Sequence, residues 1–191
     1  MKSICVYCGS SPGARPEYAA AAVALGETLA REQITLVYGG SNVGLMRDVA
    51  DSALEAGGRV VGVMPHVLIE KEVAHRGLTE LVEVASMHER KRVMAERADG
   101  FIALPGGIGT LEELAEIFVW TQIGIHQKPV ALLNTADFYA PLLAFLDHMV
   151  AERFLRAEQR AGLIVESDIS SLVARMRAYR PVKVDKWLDR R

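Results

Sequence analysis

Short apolar runs alternate with helical patterns along this chain, and the alternation limits the folds that it can adopt. Strands are predicted at residues 3–7, 34–38, 59–64, 81–85, 101–104, 129–134 and 162–165. Helices are predicted at residues 16–32, 45–55, 87–98, 110–123, 138–153 and 167–179, while residues 66–79 are predicted to be irregular or only partly helical. Strands that alternate with helices form βαβ units with parallel strands. The sequence therefore predicts an α/β fold, a doubly wound and mostly parallel sheet with helices on both faces.

Length and composition narrow the class of protein further. The 191 residues fit a single domain, predicted to span residues 1–191, in which residues 180–191 form a surface tail. The net charge of −2 gives no electrostatic reason to expect nucleic acid or an anionic membrane as a partner. No apolar run approaches the roughly 20 residues that a membrane span needs, and residues 1–7 lack the features of a signal peptide. We therefore expect a cytoplasmic protein.

Cys5 and Cys8 have the spacing of a Cys-x-x-Cys motif, which is typical of redox and metal sites. Cys5 lies inside a predicted strand, whereas redox pairs normally lie at a helix N-terminus that lowers the thiol pKa. No second cysteine pair or histidine cluster provides further metal ligands. We interpret both cysteines as small core residues and predict no metal or redox cofactor.

A glycine-rich turn joins the predicted strand at residues 101–104 to the helix that follows it. The sequence there is Pro105-Gly106-Gly107-Ile108-Gly109-Thr110-Leu111-Glu112-Glu113. Glycines let backbone N–H groups approach a ligand closely, and a helix N-terminus adds free N–H groups and a partial positive charge. This arrangement is typical of a phosphate site. Small and polar residues also follow the first two strands, at residues 9–11 and 39–42, where open parallel sheets bind ligands.

Two common types of nucleotide site do not fit the chain. A dinucleotide site needs Gly-x-Gly-x-x-Gly after the first strand, but residues 9–13 are Gly-Ser-Ser-Pro-Gly. A P-loop needs a lysine before its Ser or Thr, and Gly109-Thr110 lacks one. What remains is a monophosphate-sized site held by backbone N–H groups, the Thr110 hydroxyl and Ser10.

Glu113 has two interpretations that the residue pattern leaves open. Residues 110–113 match the S/T-x-x-E pattern of a capping box, in which Glu113 would only accept a backbone N–H. Alternatively, Glu113 lies beside a cleft or a subunit interface, because it shares a helix side with Ile117 and Trp120. The other side of this helix is predicted to be the core stripe, made of Leu111, Leu114, Ala115 and Phe118.

A second unusual pattern lies at residues 87–94. Met87, Arg90, Lys91 and Met94 share one helix face, so two cations lie where apolar residues are expected. One interpretation is a surface helix whose long side chains snorkel to solvent. The other is a cationic wall that faces the glycine turn, with the Arg90 guanidinium binding an anion or a carboxylate.

Together these segments resemble the "lonely guy" (LOG) family. Residues 105–113 resemble its PGGxGTxxE motif, and residues 87–91 resemble its MxxRK motif. Residues 38–46 resemble its second glycine segment and residues 8–11 its first loop, so the resemblance covers about residues 3–155. It implies a Rossmann-like nucleotide binder that is usually dimeric. Members of the family are cytokinin riboside 5′-monophosphate phosphoribohydrolases, some of which cleave AMP, and they were long mislabelled as lysine decarboxylases.

The resemblance also implies roles for individual residues. Glu113 resembles the catalytic carboxylate of the family, and Arg90 resembles its catalytic partner. Glu72 resembles a substrate-contacting acid, and the glycine turn would hold the phosphate and the ribose. The residues expected to bind substrate are Ser10, Gly40, Glu72, Met87, Lys91, Gly106, Gly107, Ile108, Gly109, Thr110, Leu111 and Glu112.

Two positions depart from the family pattern. Arg47 follows Leu45-Met46 where a glycine is usual, which bears on how closely the second loop approaches a ligand. Val119 stands where plant members have a threonine near the substrate, which bears on base preference. The sequence does not rank AMP against N6-modified substrates.

The predicted activity is hydrolysis of the N-glycosidic bond of a purine nucleoside 5′-monophosphate, AMP or an N6-modified relative, by a homodimer without a cofactor. Glu113 would stabilise oxocarbenium character on the ribose and activate water as a general base. A nucleotide-binding sensor or carrier without turnover is the alternative. A decarboxylase would need a lysine that forms a Schiff base with pyridoxal phosphate, and only Lys91 lies near the predicted site.

Overall fold

One seven-stranded sheet organises the chain, in a computed structural model that describes residues 1–69 and 74–181. The strands are β1 (Ser3–Tyr7), β2 (Thr35–Tyr38), β3 (Val60–Pro65), β4 (Glu80–Val84), β5 (Phe101–Ala103), β6 (Val130–Leu133) and β7 (Leu163–Glu166). Their order is β4-β3-β2-β1-β5-β6-β7, and every neighbouring pair is parallel. The predicted α/β fold is confirmed, and the sheet is parallel throughout its described strands.

Helices cover both faces of the sheet, as predicted. They are α1 (Pro16–Arg31), α2 (Gly44–Glu55), α3 (His66–Ile69), α4 (Met87–Arg97), α5 (Ile108–Gln122), α6 (Ala140–Ala151), α7 (Ala157–Gly162) and α8 (Ile169–Ala178). The hydrophobic core has two parts, because alternate residues of each strand point to opposite faces. Leu25, Val49 and Leu172 from α1, α2 and α8 fill one part, whereas Met94 and Leu114 from α4 and α5 fill the other.

Two stretches between β6 and β7 differ from the sequence prediction. The helix predicted at residues 138–153 begins only at Ala140, where Pro141 fits the first turn, and a 3₁₀ turn at Thr135–Asp137 precedes it. The short helix α7 was missed because it is six residues long and buries none of them, so it has no apolar periodicity. Glu72 and most of the predicted tail at residues 180–191 lie outside the described residues.

The topology of the sheet determines where a ligand can enter. The chain runs outward from β1 through β2 and β3 to β4, and then crosses back to β5 on the other side of β1. The strand order therefore reverses between β1 and β5. In open parallel sheets such a reversal separates the loops at the carboxyl ends of the two strands and leaves a crevice between them. The loops at residues 8–11 and 104–107 flank that crevice.

Within the described residues, no helix combines the length and the apolarity that a membrane span requires.

Candidate active site

Three loops meet at the carboxyl ends of the central strands. The Gly9 N–H donates to the Pro105 carbonyl at 3.1 Å, which joins the loop after β1 to the loop after β5. Gly44, the first residue of α2, has a left-handed φ of +54°, and a Cβ there would lie 2.4 Å from the Ser10 carbonyl carbon. The loop after β2 therefore packs directly on the loop after β1. The three glycine segments predicted from the sequence are adjacent in space.

The N-terminus of α5 is open. The helix starts at Ile108 with Gly107 as its N-cap, and no side chain of the described residues caps it. The first intrahelical bond runs from the Leu111 N–H to the Gly107 carbonyl, so the N–H groups of residues 108–110 have no helical acceptor. Residues 107–109 are exposed, whereas Thr110 is buried. Free N–H groups at the positive end of a helix dipole suit a phosphate.

The capping-box interpretation of Glu113 is wrong. It required the helix to begin after Thr110, but Thr110 is the third residue of α5 and Glu113 lies almost a full turn beyond it. A related reciprocal cap, in which the Glu carboxylate accepts the N–H of the residue before the N-cap, exists at the start of α4. There the Ser86 hydroxyl accepts the Glu89 N–H at 3.1 Å, and the Glu89 carboxylate accepts the Ala85 N–H at 2.8 Å. The glycine turn allowed α5 to start three residues earlier than the S/T-x-x-E pattern indicates.

The buried face of α5 also differs from the predicted stripe. Thr110, Leu114 and Ile117 are buried, whereas Leu111 and Ala115 are exposed. Glu113 is partly buried, and its charge acts on groups at the end of β1 and in the following loop, namely Cys5, Tyr7 and Cys8. The carboxylate therefore lies close enough to β1 and the loop after it to interact electrostatically with these groups. Both cysteines are buried and free, as predicted.

Helix α4 turns two cations inward. Arg90 is 9% exposed and Lys91 is 8% exposed, so the snorkelling interpretation is wrong. One guanidinium nitrogen of Arg90, Nη2, donates to the Gly39 carbonyl at 3.1 Å. The other, Nη1, lies 3.8 Å from the Met87 sulfur, and Nε is buried with no partner among the described residues. Most of the hydrogen-bonding capacity of Arg90 is therefore left for a ligand or a nearby charge.

The pKa of Glu113 lies near neutrality. Burial raises it from an ordinary value of 4.5 to about 7. The positive charge of Arg90 opposes this rise, and so does that of Lys91, while the carboxylates of Glu112 and Glu116 add to it. A carboxylate with a pKa near the working pH is suited to take up and release a proton in general base catalysis.

Lys91 joins α4 to α5. Its ammonium group binds the Glu112 carboxylate and also the Glu116 carboxylate, the latter at 3.1 Å. Burial alone would lower the pKa of Lys91, but these two hydrogen bonds raise it. Lys91 and Glu112, both predicted to bind substrate, are therefore bonded to each other. Glu116 was not predicted from the sequence, although its position one turn after Glu112 on the same helix was a usable signal.

The other residues predicted to bind substrate differ in their exposure and contacts. Ser10 is exposed in the first loop, and Met87 is 43% exposed beside Arg90. Gly40 is buried, and its carbonyl accepts the His75 N–H at 3.0 Å. Gly106 is partly exposed between the first loop and α5, while Glu72 lies outside the described residues. The binding roles of all of these residues stay predictions.

Comparison with known proteins identifies the family. A family model described as "Possible lysine decarboxylase" matches residues 46–176. The rice protein named probable cytokinin riboside 5′-monophosphate phosphoribohydrolase LOGL9 is 49% identical over 182 residues, which cover 95% of this chain and 80% of that protein. The chain belongs to the LOG family. A LOG family relative from Rhodococcoides fascians, named cytokinin riboside 5′-monophosphate phosphoribohydrolase, is 46% identical and covers 93% of this chain and 90% of its own.

Solved structures share the fold of this LOG family chain. The X-ray structure of TM1055 has a TM-score of 0.73 at 25% identity and covers 94% of this chain and all of its own. The molybdenum cofactor binding protein from Rippkaea orientalis has a TM-score of 0.69 at 24% identity and covers 93% of this chain and 97% of its own. At that identity the second likeness establishes the fold alone.

The decarboxylase description of the family model does not fit the chemistry of Lys91. A lysine that forms a Schiff base needs a free, neutral amine, which a lowered pKa provides. Lys91 instead has a raised pKa and is bonded to two carboxylates.

Proposed function

We propose that the chain hydrolyses the N-glycosidic bond of adenosine 5′-monophosphate or an N6-modified relative, giving the free base and ribose 5-phosphate. The observation that carries the proposal is a partly buried carboxylate, Glu113, with a pKa of about 7, one turn beyond an open helix N-terminus. Relatives at 46–49% identity that are named cytokinin riboside 5′-monophosphate phosphoribohydrolases support it.

The phosphate is proposed to bind at the N-terminus of α5, against the N–H groups of residues 108–110. Glu113 lies three residues beyond Thr110, a rise of roughly 4.5 Å along the helix. That offset matches a nucleotide whose phosphate is held at the helix end and whose ribose extends toward the carboxylate. Binding energy from the phosphate, which does not react, then orients the bond that breaks.

In the proposed reaction the C1′–N9 bond of the nucleotide breaks, and its electron pair leaves with the base. Positive charge develops on the ribose, as in glycoside hydrolysis, and the Glu113 carboxylate stabilises it. Water attacks C1′ while Glu113 takes its proton, and that proton then passes to the departed base, which restores the carboxylate. Arg90 lowers the pKa of Glu113 and so favours the ionised form that this role requires.

Product analysis tests the function directly. The purified protein is incubated with AMP and, separately, with N6-isopentenyl-AMP, and the released base and ribose 5-phosphate are quantified. We expect equal amounts of the two products from at least one substrate, and the ratio of the two rates establishes base preference. Calorimetric binding of both nucleotides without base release would contradict the proposal and favour a sensor or carrier.

Base release is expected to rise with pH through about 7, because Glu113 must be ionised to act as a base. Lys91→Met removes a charge that lowers the Glu113 pKa, so the acid side of the kcat profile should move to higher pH. Glu116→Gln removes a charge that raises it, so the profile should move to lower pH. Initial rates from pH 5 to 9 measure both shifts. Shifts of the same sign in the two variants would contradict the role of these charges.

We propose further that two copies of the chain pair through the outer faces of α5 and α6. Helix α6 is strongly apolar yet has no buried residue in the described chain. Its Phe145 is 54% exposed, Phe154 just beyond it is 88% exposed, and Leu111 and Val119 of α5 are 40% and 45% exposed. Exposed large apolar side chains on two helices are typical of a subunit interface. The cytoplasmic location stays a prediction from the sequence.

A single charge on this surface should dissociate the dimer. Phe145→Asp would bury a carboxylate between the subunits, and we expect the dimer dissociation constant to rise by roughly 100-fold or more. Val23→Asp is the matched control, because Val23 is 38% exposed on α1, on the opposite face of the sheet. Sedimentation velocity measures both. A monomeric wild type, or equal effects of the two variants, would contradict this interface.

A further inference from the structure

Gly39 follows β2 directly, and its backbone does not require glycine. Its φ lies outside the left-handed region, in contrast to the next residue, Gly40, with a φ of +78°. Gly39 is also buried, and a side chain there would have to displace a neighbour. The identity of that neighbour shows why the position is glycine.

The neighbour is the guanidinium of Arg90. A Cβ at residue 39 would lie 1.8 Å from Nη2 and 2.9 Å from Cζ of Arg90. The next nearest atom is the Met46 sulfur at 3.4 Å, an ordinary contact distance. Only Arg90 therefore obstructs a side chain at residue 39 among the described residues. The contact is specific to one side chain that lies 51 residues away in the sequence.

The same glycine also holds the guanidinium. Its carbonyl accepts the Arg90 Nη2 hydrogen bond at 3.1 Å, and Arg90 has no other oxygen acceptor among the described residues. Residue 39 thus provides both the acceptor that anchors Nη2 and the space that Nη2 occupies. Gly40 differs, because a Cβ there would contact Leu81 and the β3 backbone at 3.3–3.4 Å and its φ disfavours other residues. Gly40 is therefore required by the backbone conformation of the loop.

We propose that Gly39 is a positioning residue for the reaction, which fixes the Arg90 guanidinium relative to Glu113. This inference rests on the proposed role of Arg90. Because the obstructing atom is the free end of a flexible side chain, an alanine at residue 39 leaves the backbone unstrained and displaces the guanidinium instead. The glycine is therefore required by the position of Arg90 and not by the backbone.

The test is a double-mutant cycle of Gly39→Ala and Arg90→Ala, assayed for base release from AMP, with calorimetric binding of AMP alongside. Gly39→Ala alone should lower kcat by roughly 10- to 100-fold, the effect of a misplaced group, while KM changes much less. In the Arg90→Ala background the same change should have almost no effect, because the obstructing side chain is gone. Gly77→Ala is the glycine-to-alanine control, because a Cβ there would meet His75 at 3.2 Å and not Arg90, and this variant should retain wild-type kcat.

The possible outcomes separate the proposed role of Gly39 from that of Arg90. Wild-type kcat in Gly39→Ala, or an equal loss in both backgrounds, overturns the role of Gly39 and leaves that of Arg90 intact. Wild-type kcat in Arg90→Ala overturns the proposed role of Arg90 itself. If Gly39→Ala unfolds, thermal denaturation of the double variant replaces the kinetic test. Recovery of stability in the double variant supports a clash with Arg90, and no recovery overturns it.

Discussion

Replacing Glu113 with glutamine is expected to lower kcat for base release by roughly 100- to 10,000-fold, the range that general base catalysis contributes. Glutamine keeps the shape of the side chain but cannot take a proton from water or oppose positive charge on the ribose. Binding of AMP should persist, because the N–H groups at the start of α5 are unchanged. Single-turnover kinetics and calorimetry measure the two effects separately. A variant with wild-type kcat would contradict the proposed role of Glu113.

The same substitution should stabilise the protein above neutral pH. Burial raises the pKa of Glu113 from 4.5 to about 7, so the folded state holds its proton more tightly than the unfolded chain. Stability is therefore complete below pH 4.5 and falls as the pH rises to about 7, by on the order of 3 kcal/mol. Glutamine avoids this cost.

Thermal denaturation of Glu113→Gln should accordingly show a higher Tm than wild type at pH 8 and a similar Tm at pH 4. The exposed Glu96→Gln is the control, and its Tm should follow that of wild type at both values. A loss of stability at pH 8 in Glu113→Gln would mean that the carboxylate contributes favourable contacts instead of an unfavourable charge. Lost activity together with gained stability is the signature of a residue retained for chemistry.

Arg90→Ala is expected to lower kcat by about 100-fold or more, because it removes the positive charge that lowers the pKa of Glu113 and favours its ionised form. The Glu113 pKa should rise without this guanidinium, so the acid side of the kcat profile should move to higher pH. Arg90→Lys should not restore activity, because an ammonium lacks the planar fork that reaches both the Gly39 carbonyl and a ligand.

The pH profile of Arg90→Ala also separates two roles of the guanidinium. If Arg90 acts by keeping Glu113 ionised, the loss of kcat should shrink toward pH 9, where the carboxylate ionises without help. If Arg90 assists departure of the base, the loss should be the same at every pH. An unmoved profile with wild-type kcat would contradict both roles. Glu96→Gln again is the control, because its charge change lies on the exposed side of α4.

The fold was predictable because its signal is local. Apolar runs such as residues 34–38 and 129–134 are long enough to mark buried strands, and their alternation with helices determines a parallel sheet. The pattern of α4 marked Arg90 and Lys91 as unusual, because they interrupt an apolar pattern, but it left open whether they face inward or toward solvent. Where the signal was weak, as in α7, the prediction failed.

The finer organisation of the site was not predictable in the same way. The start of α5 depends on a glycine turn that allows several helix starts, so residues 110–113 matched a capping box that does not form. Gly39 and Arg90 lie 51 positions apart in the sequence, and no residue pattern indicates that a glycine at position 39 leaves room for a distant side chain. The bonds from Lys91 to Glu112 and Glu116 depend on how α4 docks against α5. Contacts of this kind can be identified only once the packing of the helices against each other and against the sheet is known.

The adjacency of Arg90 and Lys91 restricts how α4 can vary in length. Arg90 binds the Gly39 carbonyl, whereas the neighbouring Lys91 binds the carboxylates of Glu112 and Glu116. One inserted or deleted residue between Ser86 and Arg90 would rotate everything after it by about 100° and turn both cations away at once. Changes of length within the first turn of α4 should therefore not be tolerated. The first turn of α4 therefore sets the rotation of the helix at which Arg90 reaches the loop after β2 and Lys91 reaches α5.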